Sequence, residues 1–205
     1  MFNSIILFLF ILFYTGMLQQ KKEVIIDCNY SISEALYGIE VPESIRVELD
    51  LVEVEYFSFD KKLHQGQIVV HNKLTDDMKK IFKLIKEKEF PVAKVIPIVK
   101  YNWSDNESMN DNNTSAFNYR LVAGTNRVSN HSYGQAIDIN PFQNPHIKNG
   151  IYSPKGSKYY LKEPGTIYDN HFLVIEFKKL GWDWGGDWTS LKDYQHFDKK
   201  VFGKE

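Results

Sequence analysis

The first stretch that could carry chemistry is SNHSYGQAIDIN, residues 129–140. His131 precedes a turn that Gly134 permits, and Asp138 follows in a short run of alternating apolar and polar residues. A histidine before a strand and an aspartate on that strand can converge on one point, and the small Ala136 leaves room between them. By itself, this stretch is equally compatible with half of a metal site and with a polar turn before a solvent-facing aspartate.

The second stretch is GWDWGGDWTSLKDYQHF, residues 181–197. Asp193 and His196 are three residues apart, which predicts that both lie on the same side of a turn or short helix. Three tryptophans separated by glycine and aspartate are more typical of an aromatic cleft wall than of a regular core face. We therefore interpret Trp182 and Trp184 as substrate-binding residues. The alternative is that the tryptophans belong to the core and His196 lies on the surface.

Together, His131, Asp138 and His196 supply two imidazoles and one carboxylate. Three protein ligands with a fourth position open for water are typical of a catalytic zinc site rather than a structural one. The single cysteine, Cys28, allows neither an intrachain disulfide nor a thiolate-rich zinc site, and we interpret it as a plain buried or free thiol. We expect one Zn²⁺ per chain, although the ligand set would accept other divalent ions. No role is assigned to the remaining histidines, His64, His71, His146 and His171.

The pattern HxxGxAxD, followed downstream by GWxWGGDW and DxxH, resembles the zinc peptidases that trim bacterial cell-wall stem peptides. These include VanY-like D-alanyl-D-alanine carboxypeptidases and L-alanyl-D-glutamate endopeptidases. The resemblance runs from roughly Phe57 to Phe197. It implies zinc on His131, Asp138 and His196, with Asp193 as general base and then general acid.

The segment NNTSAFNYR, residues 112–120, resembles the family's loop that precedes the first motif and supplies an arginine. Arg120 would stabilise the oxyanion or hold a substrate carboxylate, because guanidinium is a rigid fork that stays charged. A structural ion pair is the alternative for Arg120, and Arg127 is a rival for its role. The residues expected to bind substrate flank the two motifs: Ser129, Tyr133, Trp182 and Trp184.

A second function class is open, because Hedgehog signalling domains are similar in fold and metal ligands yet work by binding partners. A carboxylate base three residues before the last histidine, here Asp193, favours the enzyme. A wall-binding protein that has lost its metal is a third possibility. The sequence does not reveal which bond is cut: a carboxypeptidase needs a clamp for a terminal carboxylate and a blocked cleft end, whereas an endopeptidase needs an open cleft.

The elements that must position these residues follow from periodicity and turn signals. The expected helices are residues 31–38, 75–88 and 170–180, and the expected strands are residues 46–59, 66–71, 92–99 and 135–139. The first strand changes phase near Val52, which suggests a bulge. Residues 102–118 and 141–166 are predicted to be long loops. The absence of regular β-α-β alternation predicts an α+β fold with a small antiparallel sheet flanked by helices, and the resemblance implies a Hedgehog/D,D-peptidase-like zinc peptidase fold.

Length and charge limit the number of domains and the classes of binding partner. With 205 residues, 43% of them hydrophobic, the chain can bury one core. Lysine plus arginine (25) balances aspartate plus glutamate (26), which argues against nucleic-acid binding. We expect a signal peptide or membrane anchor in residues 1–20, with its apolar run at 5–18, an N-terminal extension at 21–56 and the peptidase domain at 57–205. We expect a monomer that is exported, periplasmic or associated with the cell envelope, and the resemblance implies that it acts on peptidoglycan stem peptides.

Overall fold

The computed structural model describes residues 23–201. The predicted signal peptide or anchor at residues 1–20 lies outside this part of the chain. Within residues 23–201, no helix combines the length and the apolar character needed to cross a membrane. The described residues form an α+β arrangement of several small sheets and few helices.

In chain order, the strands of the described part are β1 (Val24–Ile26), β2 (Leu49–Phe57), β3 (Leu63–His71), β4 (Lys94–Val95), β5 (Asn113–Thr114), β6 (Ala136–Asp138), β7 (His146–Lys148), β8 (Ile151–Ser153), β9 (Asp183–Trp184), β10 (Lys192–Asp193) and β11 (His196–Asp198). The α-helices are α1 (Ile32–Ala35), α2 (Glu43–Arg46), α3 (Thr75–Glu87), α4 (Asp105–Asn110) and α5 (Phe172–Lys179). A 3-10 turn spans Asn130–Tyr133.

The strands assemble into small sheets with the orders β1-β3-β2, β10-β7-β8, β6-β11-β9 and β4-β5. Strand β1 is parallel to β3 and β4 is parallel to β5, whereas the other pairs are antiparallel. The predicted α+β class is therefore confirmed. The expectation of one small antiparallel sheet is wrong, because the sheets are several and two of the pairs are parallel.

The hairpin of β2 and β3 anchors the N-terminal part of the chain. The pairing is unbroken from Leu49 opposite His71 to Phe57 opposite Leu63, so β2 has no bulge. Val52 and Val54 face the main core, whereas Leu49 packs on the opposite face in a second, smaller core cluster. The phase change near Val52 thus reflects a sheet that is covered on both faces. Residues 21–56 contribute β1 and nearly all of β2 to this sheet.

Helix α3 covers the main-core face of that sheet, and its period-3.6 pattern is confirmed. Met78, Ile81, Phe82 and Ile85 are all buried in the main core. The acidic residues of the first turn lie at the positive end of the helix. Helix α5 also agrees with its prediction, and the side chain of His171 caps it by accepting a hydrogen bond from the Leu173 backbone.

Three segments differ from the sequence-based prediction, and one of them is the expected loop 141–166, which contains the paired strands β7 and β8. Within the expected strand 92–99, only Lys94–Val95 forms β4, and a 3-10 helix follows Pro97. The expected loop 102–118 contains α4, which the side chain of Ser104 caps at its start. Asparagine and aspartate have low helix propensity, which hid α4 in the sequence, but the cap and the acidic first turn offset that cost.

Candidate metal centre

The three predicted ligands come together through one antiparallel pairing and one turn. In the β6-β11 pair, Asp138 lies directly opposite His196. His131 approaches from the adjacent 3-10 turn, and all three side chains are buried. His131 Nε2 lies 3.2 Å from His196 Nδ1 and 3.3 Å from Asp138 Oδ2, and His196 Nδ1 lies 2.9 Å from Asp138 Oδ1.

A glycine allows the His131 turn to sit close to the first sheet. Gly134 ends the turn with a φ of 63°, and a Cβ there would lie 2.5 Å from the backbone nitrogen of His71. That nitrogen donates a hydrogen bond to the Gly134 carbonyl. A larger residue would push the turn off β3 and move His131 away from its partners.

Contacts behind the two imidazoles decide which ring nitrogens face the centre. His131 Nδ1 lies 2.5 Å from the carbonyl of Ala116 and donates a hydrogen bond to it, which directs Nε2 toward the centre. His196 Nε2 faces Asp198 Oδ1 at 3.6 Å, and Asp198 accepts a hydrogen bond from Asn130 Nδ2 at 2.6 Å. Such outer partners orient metal-binding histidines and raise their basicity.

The donor atoms fit a small divalent metal. Zinc bonds of about 2.0–2.1 Å in a tetrahedral site place neighbouring ligand atoms roughly 3.3 Å apart. The observed separations of 2.9, 3.2 and 3.3 Å are close to that edge length. Within residues 23–201, these three side chains form the one group of potential ligands whose atoms all lie within 4.8 Å of one another.

The electrostatics of the cluster also suit a cation. Burial alone would raise the pKa of Asp138, but the charge of His131 and hydrogen bonds with both histidines hold that pKa well below its ordinary value. Burial opposes charge on His196 as well, yet its hydrogen bond to Asp138 and the nearby carboxylate of Asp198 raise its pKa to about 10. The site therefore favours a positive charge between the imidazoles and the carboxylate, and a metal ion can replace the proton.

Asp193 lies beside the cluster at the end of β10. The segment DYQH forms a turn, with Asp193 on β10 and His196 at the start of β11. Asp193 Oδ1 is shielded from solvent and makes no hydrogen bond within the described chain. Burial and the negative charge of Asp138 raise the pKa of Asp193 to about 7. A buried carboxylate oxygen without a partner is an uncommon feature that suits a proton acceptor.

The cluster borders a cleft of about 750 Å³. Arg120 lines the cleft, and its Nη2 lies 3.0 Å from Asp105 Oδ2, whereas its buried Nε has no partner in the described part of the chain. Arg120 therefore lies in the cleft, as its predicted role requires, and also makes the structural ion pair that was the alternative interpretation. Arg127 also lines the cleft and is exposed.

The four predicted substrate-binding residues separate into two groups. Ser129 and Trp184 line the cleft, although Trp184 is also buried in the main core. Ser129 also accepts a hydrogen bond from the His131 backbone nitrogen. Tyr133 is not among the cleft-lining residues. Trp182 is buried in the main core and donates a hydrogen bond to Asp77, so its interpretation as cleft wall is corrected.

Several cleft residues were missed by sequence reasoning. Trp188 is 37% exposed, and its ring centroid lies 5.3 Å from that of His196. His146 lines the cleft because it is paired with Asp193 across β7 and β10, a pairing that the sequence does not reveal. Asp198 could have been found, because residues two apart on a strand share a face and Asp198 follows His196 at that spacing.

The segment that forms this centre is similar to a known protein family. The family model described as D-alanyl-D-alanine carboxypeptidase matches residues 123–199. The resemblance predicted from the motifs is confirmed for this segment, whereas the match does not extend back to Phe57. The matched segment contains all three potential ligands together with Asp193, whereas Arg120 lies just outside it. The match indicates a hydrolase that acts on peptide bonds. No solved structure matches the chain significantly.

Proposed function

We propose that this protein is a zinc-dependent peptidase that hydrolyses peptide bonds in peptidoglycan stem peptides, as a D,D-carboxypeptidase or an L-alanyl-D-glutamate endopeptidase. One observation carries this proposal: three buried donor atoms converge beside Asp193, whose Oδ1 has no hydrogen-bond partner among residues 23–201. Structural zinc sites fill four positions with protein side chains, whereas this cluster supplies three. The match of residues 123–199 supports the substrate class.

His131, Asp138 and His196 are the residues that would hold the metal. When bound, zinc lowers the pKa of water to about 7 and polarises a carbonyl group. The Ala116 carbonyl and Asp198 keep the two imidazoles in the orientation that this role requires.

Asp193 is the side chain that would move the proton. Its Oδ1 can accept a proton from the water that attacks the carbonyl carbon. The same carboxyl group can then donate that proton to the amine nitrogen as the carbon–nitrogen bond breaks. A pKa of about 7 makes both protonation states of Asp193 accessible near neutral pH.

Arg120 would stabilise the negative charge that develops on the carbonyl oxygen. Asp105 holds one end of its guanidinium, which leaves the unpartnered Nε available. Arg127 is the alternative, because it lines the same cleft and makes no ion pair with any of residues 23–201.

We also propose a Hedgehog/D,D-peptidase-like fold, action as a monomer and export to the cell envelope. The ligand set and the family match support the fold. The apolar run at residues 5–18 supports export as a signal peptide or anchor.

The test combines metal analysis with incubation of the purified chain with defined muropeptides. We expect about one equivalent of zinc per chain. Mass analysis should show either loss of a terminal D-alanine or cleavage of the bond between L-alanine and D-glutamate. Asp193→Ala should retain zinc while turnover falls by roughly 10²–10⁴-fold, the usual contribution of a general acid–base group.

Asp183→Asn is the matched control, because Asp183 is an exposed carboxylate at the same cleft. Its turnover should stay close to that of the wild type. Wild-type-like turnover by Asp193→Ala would remove Asp193 from the proposed role. Intact muropeptides in the presence of full zinc content would instead favour a binding module of Hedgehog-like fold.

A further inference from the structure

The segment that follows the cleft strand β7 is rich in exposed lysine. Between Asp138 and Glu163 the chain contains no acidic residue, but it contains four lysines. All four are exposed, and none makes an ion pair within the described residues. We use the name hairpin surface for these lysines and two exposed tyrosines: Lys148, Lys155, Lys158, Lys162, Tyr152 and Tyr160.

The lysines of helix α3, by contrast, lie close to carboxylates. On α3, Lys79 lies 3.9 Å from Asp76 and Lys83 lies 3.5 Å from Glu87. The charge of those lysines is largely balanced on their own helix. The hairpin surface therefore has a local positive potential that the net charge of −1 conceals.

The strands of the cleft wall continue into the hairpin surface. His146 of β7 pairs with Asp193 of β10 on one side and with Ser153 of β8 on the other. His146 and Ser153 both line the cleft. Lys148 and Tyr152 belong to the same two strands, so the hairpin that borders the cleft also carries part of the exposed surface.

A stack of two aromatic rings also connects the cleft wall to the hairpin surface. The rings of Tyr159 and Tyr194 are parallel, with centroids 3.7 Å apart. The Tyr194 carbonyl accepts a hydrogen bond from Trp184 Nε1, and Trp184 lines the cleft. The Tyr159 hydroxyl donates to the Ile167 carbonyl, which fixes the outer end of the stack. Aromatic side chains thus run from the cleft wall to the segment that carries Lys158 and Tyr160.

We propose that the hairpin surface binds the polymer to which the scissile peptide is attached, a glycan strand whose peptides carry carboxylates. This inference rests on the proposed function. Unpaired lysines attract carboxylates over roughly a Debye length, about 8 Å at physiological salt. Exposed tyrosines offer flat amphipathic rings that can cover sugar rings and donate hydrogen bonds from their hydroxyls. The polymer would be held next to the cleft while one of its peptides enters it.

An anionic lipid surface is the other ligand that this chemistry could suit. Ile151 and Leu161 lie in the same segment and are 72% and 63% exposed, and lysines beside protruding apolar side chains are typical of membrane-surface contacts. The polymer is favoured because the surface is continuous with the cleft through β7, β8 and the aromatic stack.

The experiment is sedimentation of the full chain with purified insoluble peptidoglycan, at low and at high salt. The double variant Lys155→Glu/Lys158→Glu should bind about tenfold more weakly at low salt, because reversed charges repel the carboxylates. Tyr152→Ala/Tyr160→Ala should also weaken binding, and this loss should persist at high salt. Lys79→Glu/Lys83→Glu on α3 makes the same change in net charge and should bind like the wild type. Circular dichroism verifies that each variant is folded.

The outcomes separate the alternatives. Equal sedimentation of all variants, or no sedimentation of the wild type, would overturn the inference. So would unchanged peptidoglycan binding combined with lysine-dependent binding to vesicles of phosphatidylglycerol and phosphatidylcholine, which would assign the surface to a membrane. Lysine-dependent sedimentation without cleavage of any muropeptide would support the polymer surface while contradicting the proposed peptidase activity.

Discussion

Two clusters of histidine and aspartate use the same residue types for different purposes. At the candidate metal centre, His131 and His196 direct one ring nitrogen each toward the other and toward Asp138. In the N-terminal sheet, His64 Nδ1 lies 2.9 Å from Asp27 Oδ1, and His64 Nε2 lies 3.3 Å from Asp60. The hydroxyl of Tyr56 bonds to the second oxygen of Asp27. We call Asp27, Tyr56, Asp60 and His64 the N-terminal latch, because they tie the residue after β1 to the β2-β3 hairpin.

The difference lies in what engages the ring nitrogens. In the latch, the two carboxylates face opposite nitrogens of the single imidazole of His64, so these side chains do not direct three donor atoms at one point. At the candidate metal centre, the Ala116 carbonyl and Asp198 hold the outer nitrogens, so His131 Nε2 and His196 Nδ1 remain for a shared ligand. Residue types alone therefore do not make a metal site; the partners behind the imidazoles do.

The largest expected effect comes from removing one histidine of each cluster. His196→Ala should abolish both zinc binding and turnover, because two ligands are left. His64→Ala should keep about one equivalent of zinc and unfold at a lower temperature. Metal analysis and thermal unfolding of both variants measure this contrast. Zinc loss by His64→Ala would show that the latch is not independent of the centre.

A smaller effect is expected from changing Asp198, the residue that faces the outer nitrogen of His196. Asp198→Ala removes the partner of His196 Nε2 and should lower zinc affinity by about 10–100-fold, the usual cost of losing an outer contact. Competition with a chelating dye measures the affinity. Asp187→Ala is the control, because Asp187 lines the cleft but pairs with Lys178. Equal zinc affinities for the two variants would argue against the orienting role of Asp198.

In the N-terminal latch, removing one hydrogen-bonding group should lower the stability of the fold without changing zinc binding. Tyr56→Phe removes a buried hydroxyl that donates to Asp27 and accepts from the Val95 backbone nitrogen. Leaving these partners unsatisfied should lower the free energy of unfolding by about 1–3 kcal/mol. Urea denaturation measures the loss, and zinc content should not change. A drop in zinc content would couple the two clusters.

The smallest effect concerns His171, a buried histidine that uses neither a metal nor a carboxylate. Its Nδ1 accepts the hydrogen bond that caps α5, and burial lowers its pKa from 6.5 to about 4. The unfolded chain therefore binds the proton more readily, so stability falls as pH drops below about 6.5 and levels off below about 4.

The variant His171→Asn tests this pH dependence, because asparagine can cap the helix without titrating. The difference in urea midpoint between about pH 7 and about pH 5 should be smaller for the variant than for the wild type. An identical pH dependence of the two proteins would contradict the role of His171. Titration of His171 corresponds to at most roughly 2 kcal/mol over this pH interval and to almost nothing at neutral pH, and the variant should lack this contribution.

Local patterns predicted the elements wherever one periodicity dominated. Helix α3 carries a clean apolar face, and the hairpin strand β3 was found from GQIVVH. Prediction was wrong where tertiary contacts decide the outcome or where a local helix cap outweighs low helix propensity. The phase of β2 changes because both faces of its sheet are covered, and α4 forms in a polar segment because Ser104 caps it.

The sequence by itself determined the residue types of the candidate centre. Two imidazoles, a carboxylate ligand and a carboxylate base are written into the motifs around residues 131–138 and 193–196, because metal and proton chemistry require those atoms. Only the tertiary structure decided which ring nitrogens are free, that Trp182 is buried in the core while Trp188 borders the cleft, and that His146 stands opposite Asp193. The physical reason is that spacing along a strand tells which side chains share a face, whereas the partner across from them depends on how distant strands pair.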